Sequence, residues 1–262
     1  MADGRRERFH RLHEDGIFVM PNAWDPGSAR LLTATGCAAL ATTSAGFAWT
    51  LGVEDYRVTR DQLVEHVAAM AAATELPLSV DGERLFGTTA GEVAATVDLL
   101  AEAGAAGCSI EDFDSAGGDV DDAAHSAELV GAAAEAAHRA GMVLTARAEN
   151  LLHGRDDLDD TIARRRAYRA AGADVVYAPG LRVAAAIRSV VEAVGCPVNV
   201  LMLPGVPPVV ELGALGVRRV STGSILASRA YAAGLAAARS LLEQGGYGDG
   251  EMLSPADRAA LS

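Results

Sequence analysis

The stretch Ala140-Gly141-Met142-Val143-Leu144-Thr145-Ala146-Arg147-Ala148-Glu149-Asn150 decides the fold. Its Ala-Gly pair ends a helix, where a left-handed glycine lets the last carbonyls find partners. The run Val143–Ala146 is too short for a helix and nearly all apolar, so it reads as a strand covered on both faces. It then ends on Arg147, Glu149 and Asn150. The same unit recurs along the chain. Strands are predicted near 17–20, 38–42, 78–80, 107–110, 143–146, 175–177, 198–201 and 219–221. Amphipathic helices are predicted at 26–35, 59–73, 89–103, 122–140, 157–171, 183–194, 209–215 and 225–242. Asp25-Pro26 and Thr88-Thr89 have the chemistry of helix starts. Eight strands, each followed by a helix, give the arithmetic of a (β/α)8 TIM-type barrel. An open doubly wound sheet is the competing arrangement. The barrel is preferred because the count closes and no Gly-rich dinucleotide fingerprint follows the first strand.

The chain has 262 residues, 50% hydrophobic and 22% charged, with no linker or low-complexity tract, which predicts one barrel domain over 1–262. Thirty-five acids against 22 bases leave a net charge of −13. Such a surface repels phosphates, so neither nucleic acid nor an anionic membrane is expected as a partner. No apolar run is long enough to span a bilayer, and the charged opening MADGRRERFH is not a secretory signal. Cys37, Cys108 and Cys196 are far apart and form no CxxC pair, as expected in a reducing cytoplasm. The 22 basic residues are all arginine. Without lysine there is no lysine Schiff base, no internal pyridoxal aldimine and no Walker-type phosphate lysine.

In such a barrel the chemistry sits at the carboxyl ends of the strands. There the sequence places Asn22, Trp24 and Asp25, then Thr43, Ser44 and Gly46, then Asp81 and Glu83. Glu111, Asp112 and Asp114 follow, then Arg147, Glu149 and Asn150, then Tyr177 and Pro179, then Asn199, and last Ser221, Thr222 and Ser224. Asp81 and Glu83, two positions apart, can address one mouth, and Glu111 comes from the neighbouring strand. Three converging carboxylates repel unless a cation joins them. Oxygen-only ligands favour Mg2+ or Mn2+, and the absence of a His pair or thiolate argues against zinc. The alternative is that these acids cap helices or pair with arginines such as Arg84. Arg147 suits a carboxylate or phosphonate oxygen pair, or else a structural bridge to Glu149 or Glu111. The Ser44-Ala45-Gly46 amides could face developing negative charge, and Ser221–Ser224 could bind an anion or cap the last helix. His10, His13, His66 and His138 are expected at the surface; His125 and His153 fall in loops near the active face.

These residues resemble the isocitrate lyase/phosphoenolpyruvate mutase superfamily. The resemblance is carried by Asn22-Ala23-Trp24-Asp25 with Ser28-Ala29, by Thr43-Ser44-Ala45-Gly46, and by Leu51-Gly52-Val53-Glu54-Asp55. It continues through Val80-Asp81-Gly82-Glu83 with Phe86-Gly87, Ser109-Ile110-Glu111-Asp112 and Thr145-Ala146-Arg147. It ends with Pro197-Val198-Asn199 and Gly216-Val217-Arg218-Arg219-Val220-Ser221, so it spans almost the whole chain in order. It implies an α/β barrel, Mg2+, and small 2-oxo or 2-hydroxy acid substrates. The chemistry it implies makes or breaks a C–C or P–C bond through an enolate held on the metal. Asp81 would be the main metal ligand, supported by Glu83, Glu111 and Asp55. Arg147 and Asn199 would contact substrate, and Ser44 with the Gly46 and Phe47 amides would receive its carboxylate. Helix 225–242 would be exchanged between subunits of a homodimer or homotetramer, with 224–262 at the interface.

The departures from that pattern bear on function. Isocitrate-type lyases carry Lys-Lys-Cys-Gly-His after the fourth strand; here Phe113-Asp114-Ser115-Ala116-Gly117-Gly118-Asp119 stands in its place. The cysteine acid/base of those lyases and the lysine of the mutase are both missing. Pro179 stands where many lyases have glutamate. The leading expectation is a Mg2+-dependent C–C lyase, with Glu83, His125 or a metal-bound water supplying the proton. The alternatives are a phosphonopyruvate-type mutase or hydrolase, and a family member that binds ligand without catalysis.

Overall fold

The structure, a computed structural model, describes residues 2–248 and 250–262. Its strands are β1 (Phe18–Met20), β2 (Leu40–Ala41), β3 (Leu78–Val80), β4 (Gly107–Glu111), β5 (Val143–Arg147), β6 (Val175–Tyr177), β7 (Val198–Leu201) and β8 (Arg219–Ser221). They pair in parallel in the order β1-β8-β7-β6-β5-β4-β3-β2. A parallel bridge between Asn22 and Ala41 brings the two ends together, so the predicted barrel is the observed fold. The helices are α1 (Ala2–Arg11), α2 (Pro26–Thr33), α3 (Ser44–Thr50), α4 (Arg60–Ala73), α5 (Ala90–Glu102) and α6 (Ala123–Arg139), then α7 (Leu158–Ala170), α8 (Ala184–Val194), α9 (Val209–Ala214), α10 (Ile225–Gln244) and α11 (Pro255–Ala259).

Local chemistry sets the boundaries. Asp25 caps α2 by accepting from the Ser28 amide at 2.6 Å, and Pro26 opens it. Thr89 caps α5 in a reciprocal box with Glu92. Gly141, at φ +69°, closes α6 as the sequence requires. Apolar residues from the outer strand faces and the inner helix faces form one continuous core, from Leu40 and Val67 round to Val200 and Leu212. The register places Arg147 opposite Glu111 on one side and Tyr177 on the other, then Tyr177 opposite Asn199 and Asn199 opposite Arg219. The register thus hands these side chains from strand to strand round the barrel interior.

The structure adds elements the sequence did not show and corrects the placement of two histidines. The amino-terminal segment forms α1, whose Arg6 donates to the carbonyls of Ala101 at 2.6 Å, Ala140 at 2.8 Å and Ala105 at 3.1 Å. Those carbonyls lie at or just beyond the ends of α5 and α6, so α1 is tied across the barrel floor. His13 and His66, expected at the surface, are buried. His13 stands edge-on between Phe9 and Phe18, and His66 stacks on Phe47 at 3.7 Å. Residues 44–50 form a helix because Thr43 caps them. Phe113–Asp114 pairs with Asp119–Val120 in an antiparallel ribbon beside the barrel mouth. Within α10, Ala227 is the residue that is buried, and the helix stands off its own barrel.

Candidate active site

A cavity of about 390 Å3 opens at the carboxyl ends of the strands and runs down between them. Asp81 marks its rim at the end of β3. Its amide donates to the Thr42 hydroxyl at 2.8 Å, and its carboxylate accepts from the Ser44 amide at 3.0 Å. The backbone turns sharply beyond it. A Cβ on Gly82 would lie 2.6 Å from the Ser109 carbonyl oxygen, so only glycine fits there. Glu83, Leu85 and Phe86 follow at φ +49° to +55°, and Tyr56 across the mouth has φ +62°. Left-handed backbone at four non-glycine positions, three of them in the turn just past Asp81, is local strain of the kind that gathers at functional sites.

Arg147, at the end of β5, joins the acids. Its guanidinium reaches Asp81 at 2.5 Å, Glu149 at 2.8 Å and Glu111 at 3.1 Å, and lies 5.4 Å from the centre of the Tyr177 ring. Glu149 is set from behind: its amide donates to Asp112, whose other oxygen takes Arg164 at 3.0 Å and the Tyr168 hydroxyl at 2.5 Å. The sequence left open whether Arg147 bridges acids or holds ligand; in this state it bridges three.

Three carboxylates, Asp81, Glu111 and Glu149, contact that one guanidinium, and Asp55 and Glu83 feel the same charges from further out. Burial, then Asp81 and Asp55, push Glu83 up to about 8. Burial and Asp81 raise Asp55, and burial raises Glu111 well above the carboxylate range against the pull of Arg147. One Glu111 oxygen, Oε1, is buried without a partner. Among the described residues no three His, Cys, Asp or Glu side chains converge as a metal cage. Of the expected ligands Asp81, Glu83 and Glu111, the first and last are held on Arg147 together with Glu149, because a guanidinium fork reaches several partners at once. The donor set still fits Mg2+ or Mn2+. It offers hard oxygens in surplus, one of them orphaned, and magnesium commonly takes one or two carboxylates and keeps its waters.

The other expected site residues separate into two groups. Ser44, Asp55 and Asn199 line the cavity. Gly46 and Phe47 do not offer their amides: these donate to the Thr43 side chain and carbonyl. Gly46 is glycine because a Cβ there would meet Thr43 Cγ2 at 2.5 Å. That leaves the Ala45 amide as the cavity-side donor without an acceptor in this turn, among the described residues. Asn199 already holds Arg219 and Ser221. His125 sits in the first turn of α6 away from the cavity, whereas His153 lines it, stacked on Phe113 at 3.6 Å. Tyr56 and Thr42 escaped the sequence reading; neither carries a periodic signal, and only Tyr56's place next to Asp55 hints at its part.

The sequence model for phosphoenolpyruvate phosphomutase matches residues 9–242. A crystal structure of a candidate lyase/mutase from Burkholderia cenocepacia J2315 superposes with a TM-score of 0.94 at 46% identity, covering 98% of this chain and 95% of that one. The oxaloacetate decarboxylase of Paraburkholderia xenovorans is 31% identical over 238 residues, which is 84% of this chain and 75% of that protein. Oxaloacetate acetylhydrolase, solved with its product oxalate, superposes with a TM-score of 0.88 at 25% identity, covering 99% and 94%.

Proposed function

The chain belongs to the phosphoenolpyruvate phosphomutase family within the isocitrate lyase superfamily, and from that premise we propose a divalent-metal-dependent lyase that cleaves or forms a C–C bond in a small 2-oxo or 2-hydroxy acid. The observation that carries this reading is the surplus of carboxylates about Arg147 at the mouth of the cavity. Asp81, with Asp55, Glu83 and Glu111, would hold Mg2+ or Mn2+. Bound there, the ion supplies Lewis acidity toward a carboxylate and its neighbouring oxygen.

The chain's own groups do the rest. The Ala45 amide and the Ser44 hydroxyl receive the substrate carboxylate at the amino end of α3, where the helix dipole favours negative charge. Arg147 stays protonated because burial is outweighed by Glu149, Glu111 and Asp81, and it keeps those carboxylates in place. Tyr177 packs against the guanidinium and limits its movement. Glu83, half-protonated near pH 8, can hold or release a proton at the cavity edge. The kinship with oxaloacetate decarboxylase and oxaloacetate acetylhydrolase supports an oxo-acid substrate.

The test is turnover with Mg2+ on a panel of 2-oxo and 2-hydroxy acids that includes oxaloacetate, run beside Asp81→Ala. Metal-dependent product from the wild type and none from the variant is expected. Equal turnover by both ends the reading. The matching family supports a second reading, P–C bond chemistry on a phosphonopyruvate-like substrate. An unchanged phosphorus resonance of phosphonopyruvate mixed with the protein eliminates it. The stand-off of α10 supports a homodimer or homotetramer built through that helix.

A further inference from the structure

Below the rim the cavity holds a second cation. Arg219 lines the floor and is 2% exposed. Arg147 has three carboxylate partners; Arg219 has none within 4.0 Å among the described residues. Its guanidinium is held by neutral groups only: Asn199 Oδ1 at 2.9 Å, Thr145 Oγ1 at 2.8 Å and His13 Nε2 at 3.3 Å. Thr145 and Arg147 are two residues apart on β5, so this floor lies roughly 7 Å, one strand repeat, beneath the rim.

Hydrogen-bond direction then fixes what the floor offers. Arginine only donates, so Asn199 must turn its oxygen toward Arg219. The Asn199 amide nitrogen therefore faces Ser221, whose oxygen accepts at 2.9 Å. Thr145 uses its oxygen to accept from Arg219. His13 donates Nδ1–H to the Phe9 carbonyl at 2.8 Å, so its Nε2 is an acceptor for Arg219 as well. The Ser221 hydroxyl, which accepts from Asn199, keeps its own hydrogen to donate. Acceptors are consumed in holding the arginine. What remains for the cavity is one Asn199 N–H, the Thr145 hydroxyl hydrogen and the Ser221 hydroxyl hydrogen, around a positive charge.

We propose that Arg219, with Asn199, Thr145 and Ser221, forms an anion subsite at the floor of the cavity that takes a carboxylate group. A donor-only surface about an uncompensated buried cation is unfavourable when empty and complementary to two negatively charged oxygens. Burial pulls the guanidinium down to about 9, which leaves it charged at neutral pH. The carboxylate is either a free monocarboxylate or one end of the oxo- or hydroxy-acid substrate; the second source alone rests on the lyase reading.

The test uses sodium formate as the probe, with EDTA present and ionic strength held constant, and reads the thermal unfolding midpoint. The wild type is expected to show a saturable rise. Arg219→Met should show none, and Thr145→Val, which keeps the charge, should need at least fivefold more formate. A wild-type midpoint that formate does not move overturns the subsite, as does an equal rise in Thr145→Val should Arg219→Met fail to fold. Pyruvate added under the same conditions separates the sources. Competition with formate identifies the substrate's carboxylate as the occupant, and additive stabilisation identifies a separate anion. Because no metal is present, loss of lyase activity and loss of this subsite are read independently.

Discussion

The Arg147 guanidinium lies 2.5 Å from Asp81 while its remaining nitrogens hold Glu149 and Glu111, so one cation anchors acids from three neighbouring strand ends. Removing it leaves buried carboxylates facing one another without a counter-charge. Arg147→Met is expected to lose all turnover and to be destabilised by about 3–5 kcal/mol, the cost typical of orphaning buried ion-pair partners. Urea unfolding measures it. A loss well under 1 kcal/mol would show that the acids do not depend on this arginine.

Glu83 makes ion binding depend on pH. With its carboxyl near 8, it is largely protonated at pH 7 and must give up that proton to serve as a ligand. Mg2+ affinity is expected to rise from pH 6.5 to 8.5, and binding should release protons. Calorimetry in buffers of different ionisation enthalpy detects that release. In Glu83→Gln the release should shrink.

His66 bears on acid stability. Burial holds it down to about 4, against 6.5 in the unfolded chain, and burial likewise holds His13 at about 3. Between those values the unfolded chain binds a proton that the native chain refuses. Stability therefore falls as pH drops below 6.5, by up to about 1.4 kcal/mol per unit for each histidine. His66→Phe keeps the stack on Phe47 and removes a buried ring nitrogen that has no partner. The variant is expected to be more stable than wild type at pH 5, with a shallower acid limb in denaturant titrations.

The proposed association runs through the outer helix. Tyr231, Leu235 and Leu242 of α10 are exposed, and the Trp49 ring meets Tyr231 edge-on at 6.2 Å. Leu235→Glu is expected to lower the native mass measured by light scattering, with the circular dichroism of the barrel unchanged. A wild-type protein that is monomeric at micromolar concentration would remove the subunit-interface role assigned to 224–262.

The barrel was legible because its strands are short apolar runs bounded by helix caps and end on charge; 143–147 and 107–111 follow that pattern. The short elements were not. Helix α3 depends on a single threonine cap, and the 113–120 ribbon on two paired residues at each side, neither of which produces a period. The carboxylates were found because their residue type is unambiguous; the sequence offered Arg147 as a bridge to Glu149 or Glu111, but its further reach to Asp81 depends on strand geometry that no residue pattern encodes. The buried histidines were misplaced for the same reason. A helix pattern shows that a face is covered and not which ring lies against it. Arg219 hides in plain alternation, sharing its face of β8 with Ser221.

The ribbon beside the mouth is fastened unequally. Arg84, mostly buried, ties Asp121 at 2.6 Å and Asp114 at 3.3 Å, whereas Arg155 and Asp119 meet at 2.6 Å in open solvent. Dissolved ions weaken the second fastening and scarcely touch the first. The ribbon is thus a door with a fixed jamb and a loose latch: brine would free its Asp119 edge while the Arg84 edge stayed held.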